Sequence, residues 1–135
     1  MAAWLLKTEP SSYSFDDLER DGRTVWDGVT NAAAVRNIRQ MQPGERCFFY
    51  HTGDEKRIVG IAKVESAPYP DPKSSDGKLA VVDLAFDKRL KKPVTLAEVK
   101  ADKFFADWLL VRQGRLSVVP TSPEIWKRVI EMGSK

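Results

Sequence analysis

A single cysteine, Cys47, and a single histidine, His51, are all the soft metal ligands and neutral-pH acid–base groups this chain has. One cysteine excludes an internal disulfide framework and a thiolate metal cluster, and it suits a reducing compartment. No His-x-x-His, Cys-x-x-Cys or paired acidic spacing is present, so no metal site is expected. The eight glycines are scattered and form neither a phosphate-binding loop nor a dinucleotide fingerprint. A Gly-x-Ser-x-Gly elbow is missing too. No apolar run approaches a membrane span. The first residues lack the charged start, apolar stretch and cleavage site of a secretory signal, so a cytoplasmic location is expected. Carboxylates at Glu9, Asp27 and Asp71 sit in or beside loops, where turn chemistry and capping are the ordinary roles. A catalytic constellation is therefore not expected, and neither is a cofactor.

What is present is an ordinary globular mix: 135 residues, 42% hydrophobic and 30% charged. The length predicts one domain, 1–135, able to build its own core. Lys plus Arg outnumber Asp plus Glu by 22 to 19, a net charge of +3. This mildly basic balance permits a nucleic-acid partner without demanding one.

The pattern along the chain predicts short strands mixed with short helices and no βαβ rhythm. Strands are expected at Ala3–Leu6, Arg46–His51, Ile58–Val64, Leu79–Arg89 and Leu116–Val119, with a further segment at Thr24–Gly28. Gly60 inside Ile58–Val64 suggests a bulge or a close backbone approach. Ser14, Asn31 and Ser122 read as helix N-caps, and Thr95 with Glu98 as a capping box. Asn31 should open a helix from Ala32 to Met41, and Gly133 should cap the last helix. Pro68 to Gly77 reads as a loop, and Phe104 to Leu110 is ambiguous between helix and loop. The run Lys88, Arg89, Lys91, Lys92 reads as a solvated strand end. The sum is an α+β protein with a mixed, barrel-like sheet of five or six strands.

Three segments join aromatic strand ends to polar loop groups: Lys7-Thr8-Glu9-Pro10, Trp26-Asp27-Gly28-Val29 with Asn31 and Arg36, and Phe49-Tyr50-His51-Thr52. A base offers a flat face for stacking and a polar edge for hydrogen bonds, and such segments could supply both. Composition alone leaves Trp26 open between core packing and a pocket wall. Strand alternation sends Phe49 and Tyr50 to opposite faces. His51 reads as structural ahead of a direct ligand.

The run Trp4-Leu5-Leu6-Lys7-Thr8-Glu9-Pro10 resembles the opening signature of the EVE domain family. Trp26-Asp27-Gly28-Val29-Thr30-Asn31 is similar to its Trp-Asp-Gly-Val-Arg-Asn motif, with Thr30 in place of arginine. Ala34, Arg36 and Asn37 echo the helix that follows. Phe48-Phe49-Tyr50-His51-Thr52, Ala67-Pro68-Tyr69-Pro70-Asp71 and Arg112-Gln113-Gly114-Arg115-Leu116-Ser117-Val118 resemble three further family motifs, in the same order. The resemblance implies a PUA-like pseudo-barrel related to YTH and ASCH domains. It also implies recognition of modified bases, among them 5-methylcytosine and its oxidised derivatives in DNA.

On that basis a nucleotide is expected to turn out of its strand into a pocket. Trp26 would supply one stacking face and Tyr50 or Tyr69 another, each worth about 1–3 kcal/mol, comparable to the unstacking cost. Asp27 and Asn31 would read the base edge, with Thr52 as a hydroxyl partner. Thr8, Glu9, Pro10, Gly28, Val29, His51, Pro70, Leu116 and Ser117 would support the pocket. Lys7, Arg36, Arg112 and Arg115 would hold phosphates, setting affinity and salt dependence. The expected partner is modified DNA, or alternatively RNA, bound by a monomer without metal or membrane. The rival readings are an enzyme acting on a modified nucleotide through Asp27, Glu9 or His51, and a sensor of a free nucleobase.

Overall fold

A computed structural model describes residues 2–75 and 77–135. The chain runs β1 (Ala3–Thr8), α1 (Phe15–Asp21), β2 (Arg23–Trp26), α2 (Ala32–Arg39), β3 (Arg46–His51), β4 (Arg57–Val64) and β5 (Tyr69–Pro70). It continues through β6 (Ala80–Thr95), α3 (Leu96–Ala101), a 3₁₀ turn (Lys103–Phe105), α4 (Leu109–Arg112), β7 (Val118–Thr121) and α5 (Pro123–Gly133). The strands form one mixed sheet in the order β2-β6-β4-β3-β1-β7, with β5 added to β6. Among the described residues only β1 and β3 run parallel. Seven strands form where five or six were expected, because Tyr69–Pro70 pairs with Ala80–Val81 inside the predicted loop.

The sheet curls. In a flat sheet, three spacings of about 4.8 Å would hold β2 and β3 about 14 Å apart. Yet the rings of Trp26 on β2 and Phe49 on β3 meet edge to face, with centroids 5.4 Å apart. Phe15 from α1 fills the concave side, 5.1 Å from Phe49 and 5.0 Å from Phe86. Helix α2 lies against β7, where the Asn37 amide donates to the Val118 carbonyl at 2.8 Å. The core is one continuous apolar cluster. Among the described residues no helix is long and apolar enough to cross a membrane.

Two expectations need correction. The basic run Lys88–Lys92 is not a strand end, because β6 continues to Thr95. Gly60 pairs with Arg89 while Ile58 pairs with Val94, so β6 bulges over Leu90–Pro93 and then resumes. Gly133 does not cap α5. It is the helix's last residue, buried, and a Cβ there would stand 3.0 Å from Leu90 Cδ1. Ser134 occupies the cap. Glycine is used here for close packing of α5 on the β6 bulge.

The helix starts follow their sequence signals. Ser14 Oγ accepts from the Asp17 amide at 3.1 Å, and the Ser14 amide donates back to Asp17 at 2.8 Å. Thr95 and Glu98 make the same reciprocal pair on α3. Backbone hydrogen bonds from Ser14 and Thr95 hold the Asp17 and Glu98 carboxyls below their ordinary values. A carboxyl depressed in the folded state adds stability above its unfolded value and loses it as pH falls through the folded one. Thermal melting should therefore be unaffected by these caps between pH 7 and 5 and should drop below about pH 4. Asp17→Asn with Glu98→Gln should flatten that acid limb in melts followed by circular dichroism.

Candidate nucleic-acid interface

A cleft of about 580 Å³ opens where the end of β1 faces β2. Its size falls within the ~300–1,000 Å³ of small-ligand sites. β2 is hydrogen-bonded to β6 along one edge and has no partner strand along the other, among the described residues. The open edge therefore offers backbone donors and acceptors to whatever enters the cleft. On the far side β1 runs out of strand partners at Thr8, and Lys7 holds the Ser117 carbonyl through its amide at 2.9 Å. The floor and walls come from Lys7–Glu9, Ser12–Tyr13, Thr24–Asn31 and Ser117.

Trp26 ends β2 and lines this cleft while being only 8% exposed. Both readings left open by composition hold at once: part of the indole packs on Phe49, and what remains exposed walls the cavity. The next residues turn sharply away. Gly28 takes φ of 76°, a left-handed conformation that glycine adopts without a steric penalty. Asp27 is exposed at the mouth, and its carboxylate meets Lys73 Nζ at 3.2 Å. Lys73 is largely solvated and Asp27 partly so, so the pair adds little stability. It does lean the loop after Asp71 toward the opening. Asn31 lines the cleft but is partly committed: its Oδ1 accepts from the Ala33 and Ala34 amides, at 3.0 and 3.1 Å, and caps α2. Only the amide NH₂ is left to face the cleft. Thr8, Glu9, Val29 and Ser117 also line it.

Tyr50 and Thr52 lie elsewhere. They line a second cleft of about 200 Å³ on the other side of Lys7. Tyr50 is buried at 3% exposure. Thr52 Oγ1 donates to the Thr8 carbonyl at 3.2 Å and is 3.3 Å from Glu9 Oε2. Tyr69 and Pro70 form β5, and the Tyr69 hydroxyl donates to Asp83 at 2.6 Å. That hydrogen bond, ahead of burial, raises the Tyr69 phenol above its usual value. Pro10 sits half-buried after β1, in the turn where the Ser12 and Tyr13 amides return to the Glu9 carbonyl.

His51 is spent on structure. Its Nε2 accepts the Phe15 amide at 3.0 Å, so the ring proton sits on Nδ1, 2.9 Å from Glu55 Oε1. The bond from His51 is the leading cause that holds the Glu55 carboxyl low.

The four cations named from the sequence are spread out. Lys7 Nζ donates to the Gly114 carbonyl at 2.7 Å and lies 5.9 Å from the Tyr50 ring centroid; burial lowers its pKa. Arg36 is exposed on α2, and Arg112 pairs with Asp107 at 3.3 Å. Arg115 and Leu116 line a third cleft of about 360 Å³ that includes Asn31 and Gly114. The three clefts adjoin shared residues: Lys7 lines the first and second, Asn31 the first and third, and Gly114 the second and third.

Three contributors escaped the sequence reading. Tyr13 supplies an aromatic group to the main cleft, tethered by its hydroxyl to Asp21 at 3.0 Å. Its position in a turn two residues before Phe15 gave no periodic signal. Lys56 and Lys100 flank the second cleft, brought together by the β3–β4 turn and α3 from positions far apart in the chain.

The curled mixed sheet, its short capped helices and the cleft beside the free edge of β2 define a PUA-like α+β domain. The chain belongs to the EVE domain family, whose profile matches residues 2–132. Human thymocyte nuclear protein 1 is 31% identical over 166 aligned residues, covering 98% of this chain and 74% of that protein. The solution structure of a Rhodopseudomonas palustris protein is 45% identical with a TM-score of 0.94, covering 98% of this chain and 93% of that one. The crystal structure of human THYN1 in complex with 5-methylcytosine containing DNA is 29% identical with a TM-score of 0.92, covering 100% and 99%.

Proposed function

We propose that this chain reads DNA by taking one modified base, 5-methylcytosine or an oxidised derivative, into the cleft beside Trp26. The observation that carries the reading is a 580 Å³ cleft walled by an indole, in a fold shared along its whole length with a protein solved with 5-methylcytosine containing DNA. A base turned out of its strand would find aromatic surface from Trp26 and Tyr13. Its polar edge would meet the open β2 backbone, the Asp27 carboxylate and the Asn31 amide. A cytosine exocyclic amine donates, and a carboxylate is a suitable acceptor for it. A methyl group would need apolar surroundings, which Val29 and the indole provide. The chain acts as a binder, not a catalyst: its one imidazole is engaged by Phe15 and Glu55.

The test is a binding titration with matched DNA and RNA oligonucleotides carrying cytosine or 5-methylcytosine. Modified DNA should bind most tightly. Asp27→Ala should weaken cytosine and 5-methylcytosine DNA alike, because both carry the exocyclic amine, while leaving the fold unchanged, since Asp27 is exposed and its ion pair is with the solvated Lys73. Trp26→Ala is a poorer probe, because losing a buried indole costs roughly 3–5 kcal/mol of stability. Equal affinity for plain and modified DNA in the unsubstituted protein would overturn the reading.

A further inference from the structure

The second cleft has the make-up of a binding site in its own right. Its sides carry three lysines, Lys7, Lys56 and Lys100, and no carboxylate is among its lining residues. Its apolar surface comes from Tyr50, Leu96 and Leu110. Among the described residues Lys56 and Lys100 have no ion-pair partner, while Lys7 is bonded to a backbone carbonyl. Glu9 reaches the site's edge, its Oε2 3.3 Å from Thr52 Oγ1, and its other oxygen accepts from Ser11.

Backbone conformation adds a second, independent sign. Lys56 is the one non-glycine residue with positive φ among the described residues, at 46°. Such a conformation is uncommon for a lysine and is retained where the surroundings impose it. Here the Leu96 amide donates to the Lys56 carbonyl at 2.8 Å, pinning the β3–β4 turn to the start of α3. Gly53 in the same turn takes φ of 72°, and a Cβ there would stand 2.8 Å from Glu9 Oε2. The turn is thus held at both ends, with Lys56 presented to the cleft.

We propose that this lysine cleft is a phosphate subsite that holds the strand next to the base in the main cleft. The inference rests on the DNA-reading function above, since the two clefts meet at Lys7. A backbone leaving the main cleft past Lys7 enters the second one directly. Lys56 and Lys100 then flank its next phosphate, and the apolar surface receives the sugar. Three point charges on flexible stems neutralise phosphate without reading sequence, so the subsite contributes to affinity for plain and modified strands alike.

The experiment compares a Lys56→Asn/Lys100→Gln variant with the unsubstituted chain and with Lys63→Gln/Lys127→Gln, which removes the same charge elsewhere. Asparagine is chosen at 56 because it tolerates left-handed backbone. The probe is a single-stranded oligodeoxynucleotide, with and without one central 5-methylcytosine, titrated at several salt concentrations. Loss of both cleft lysines should weaken both oligonucleotides roughly tenfold and lower the salt slope by about 0.7, the value for the one phosphate they flank. The control pair should change neither. Equal loss in both variants would mean general attraction and would overturn the subsite. No loss in the cleft variant, with discrimination kept, overturns the subsite and leaves the base-reading function standing. Weakening by the cleft variant in a chain that does not discriminate keeps the subsite and removes modified-base reading. Failure of the unsubstituted chain to bind either oligonucleotide removes both.

Discussion

Gly60→Ala should destabilise the protein by about 2–3 kcal/mol, a large effect for one methyl group. A Cβ at position 60 would stand 2.2 Å from both Cε2 and Cζ of Phe15 and 2.9 Å from the Lys88 carbonyl oxygen. Real contacts are never that short, so something must move. Lys88 is on β6, paired across from Ile61, and its carbonyl belongs to the backbone. Phe15 is fully buried and has little room, with Phe49 and Phe86 at about the same distance on either hand and Arg89 5.1 Å from its centroid. Its amide is tied to His51. Moving the ring therefore disturbs the whole start of α1, and with it Tyr13 beside the main cleft. Urea unfolding should show a lower midpoint with an unchanged slope. Phe15→Leu removes the clashing ring atoms at its own cost. The double variant should then lose at least 1 kcal/mol less than the two single losses added together. Strict additivity would mean that the ring is not what Gly60 makes room for.

The same pair marks where sequence reading reaches and where it stops. Gly60 inside an apolar strand was legible as a bulge or a close approach, and the β4 register does shift beside it. Its partner was not legible, because Phe15 lies 45 residues earlier on a helix and only the curl of the sheet brings the two together. Helix starts at Ser14, Asn31, Thr95 and Ser122 were legible because capping is local: donor, acceptor and signal lie within a few residues. The length of β6 was not, since Lys88–Lys92 reads as solvent-facing whether a strand ends there or bulges and resumes. Site residues divide the same way. Trp26, Asp27 and Asn31 fall together because they are contiguous around one turn. Tyr50 follows Phe49 in sequence, but alternation on a strand sends it to the other side of Lys7, into the lysine cleft. Contiguity in sequence therefore predicts membership of one site within a loop and opposes it within a strand.

Glu45→Ala should cost about 3 kcal/mol, more than any surface change. Glu45 is a carboxylate with only 4% exposure, a burial that nothing local to the turn after Pro43-Gly44 signals. Its Oε1 accepts from the Trp4 indole at 2.9 Å and from the Gln42 amide at 2.9 Å, and its Oε2 from the Ala2 amide at 3.1 Å. One side chain thereby ties β1 to the turn that leads from α2 into β3. Truncation leaves the buried indole N–H without an acceptor, and an orphaned buried donor alone costs about 1–3 kcal/mol. Glu45→Gln separates acceptor geometry from charge. Its amide oxygen can still take the Trp4 and Gln42 donors, leaving only the Ala2 amide facing an NH₂ group, so its loss should be about 1 kcal/mol. Cys47 gives an independent readout. The thiol is fully buried, and burial followed by the nearby Glu45 charge pushes its pKa well above the usual value. It can be alkylated only when the structure opens. A loss of about 3 kcal/mol should then speed native-state labelling of Cys47 by roughly 100-fold, since each 1.4 kcal/mol is a factor of ten. Equal losses for Ala and Gln would assign the effect to the charge instead of the acceptors. An unchanged labelling rate in the alanine variant would show that β1 is held in place without Glu45.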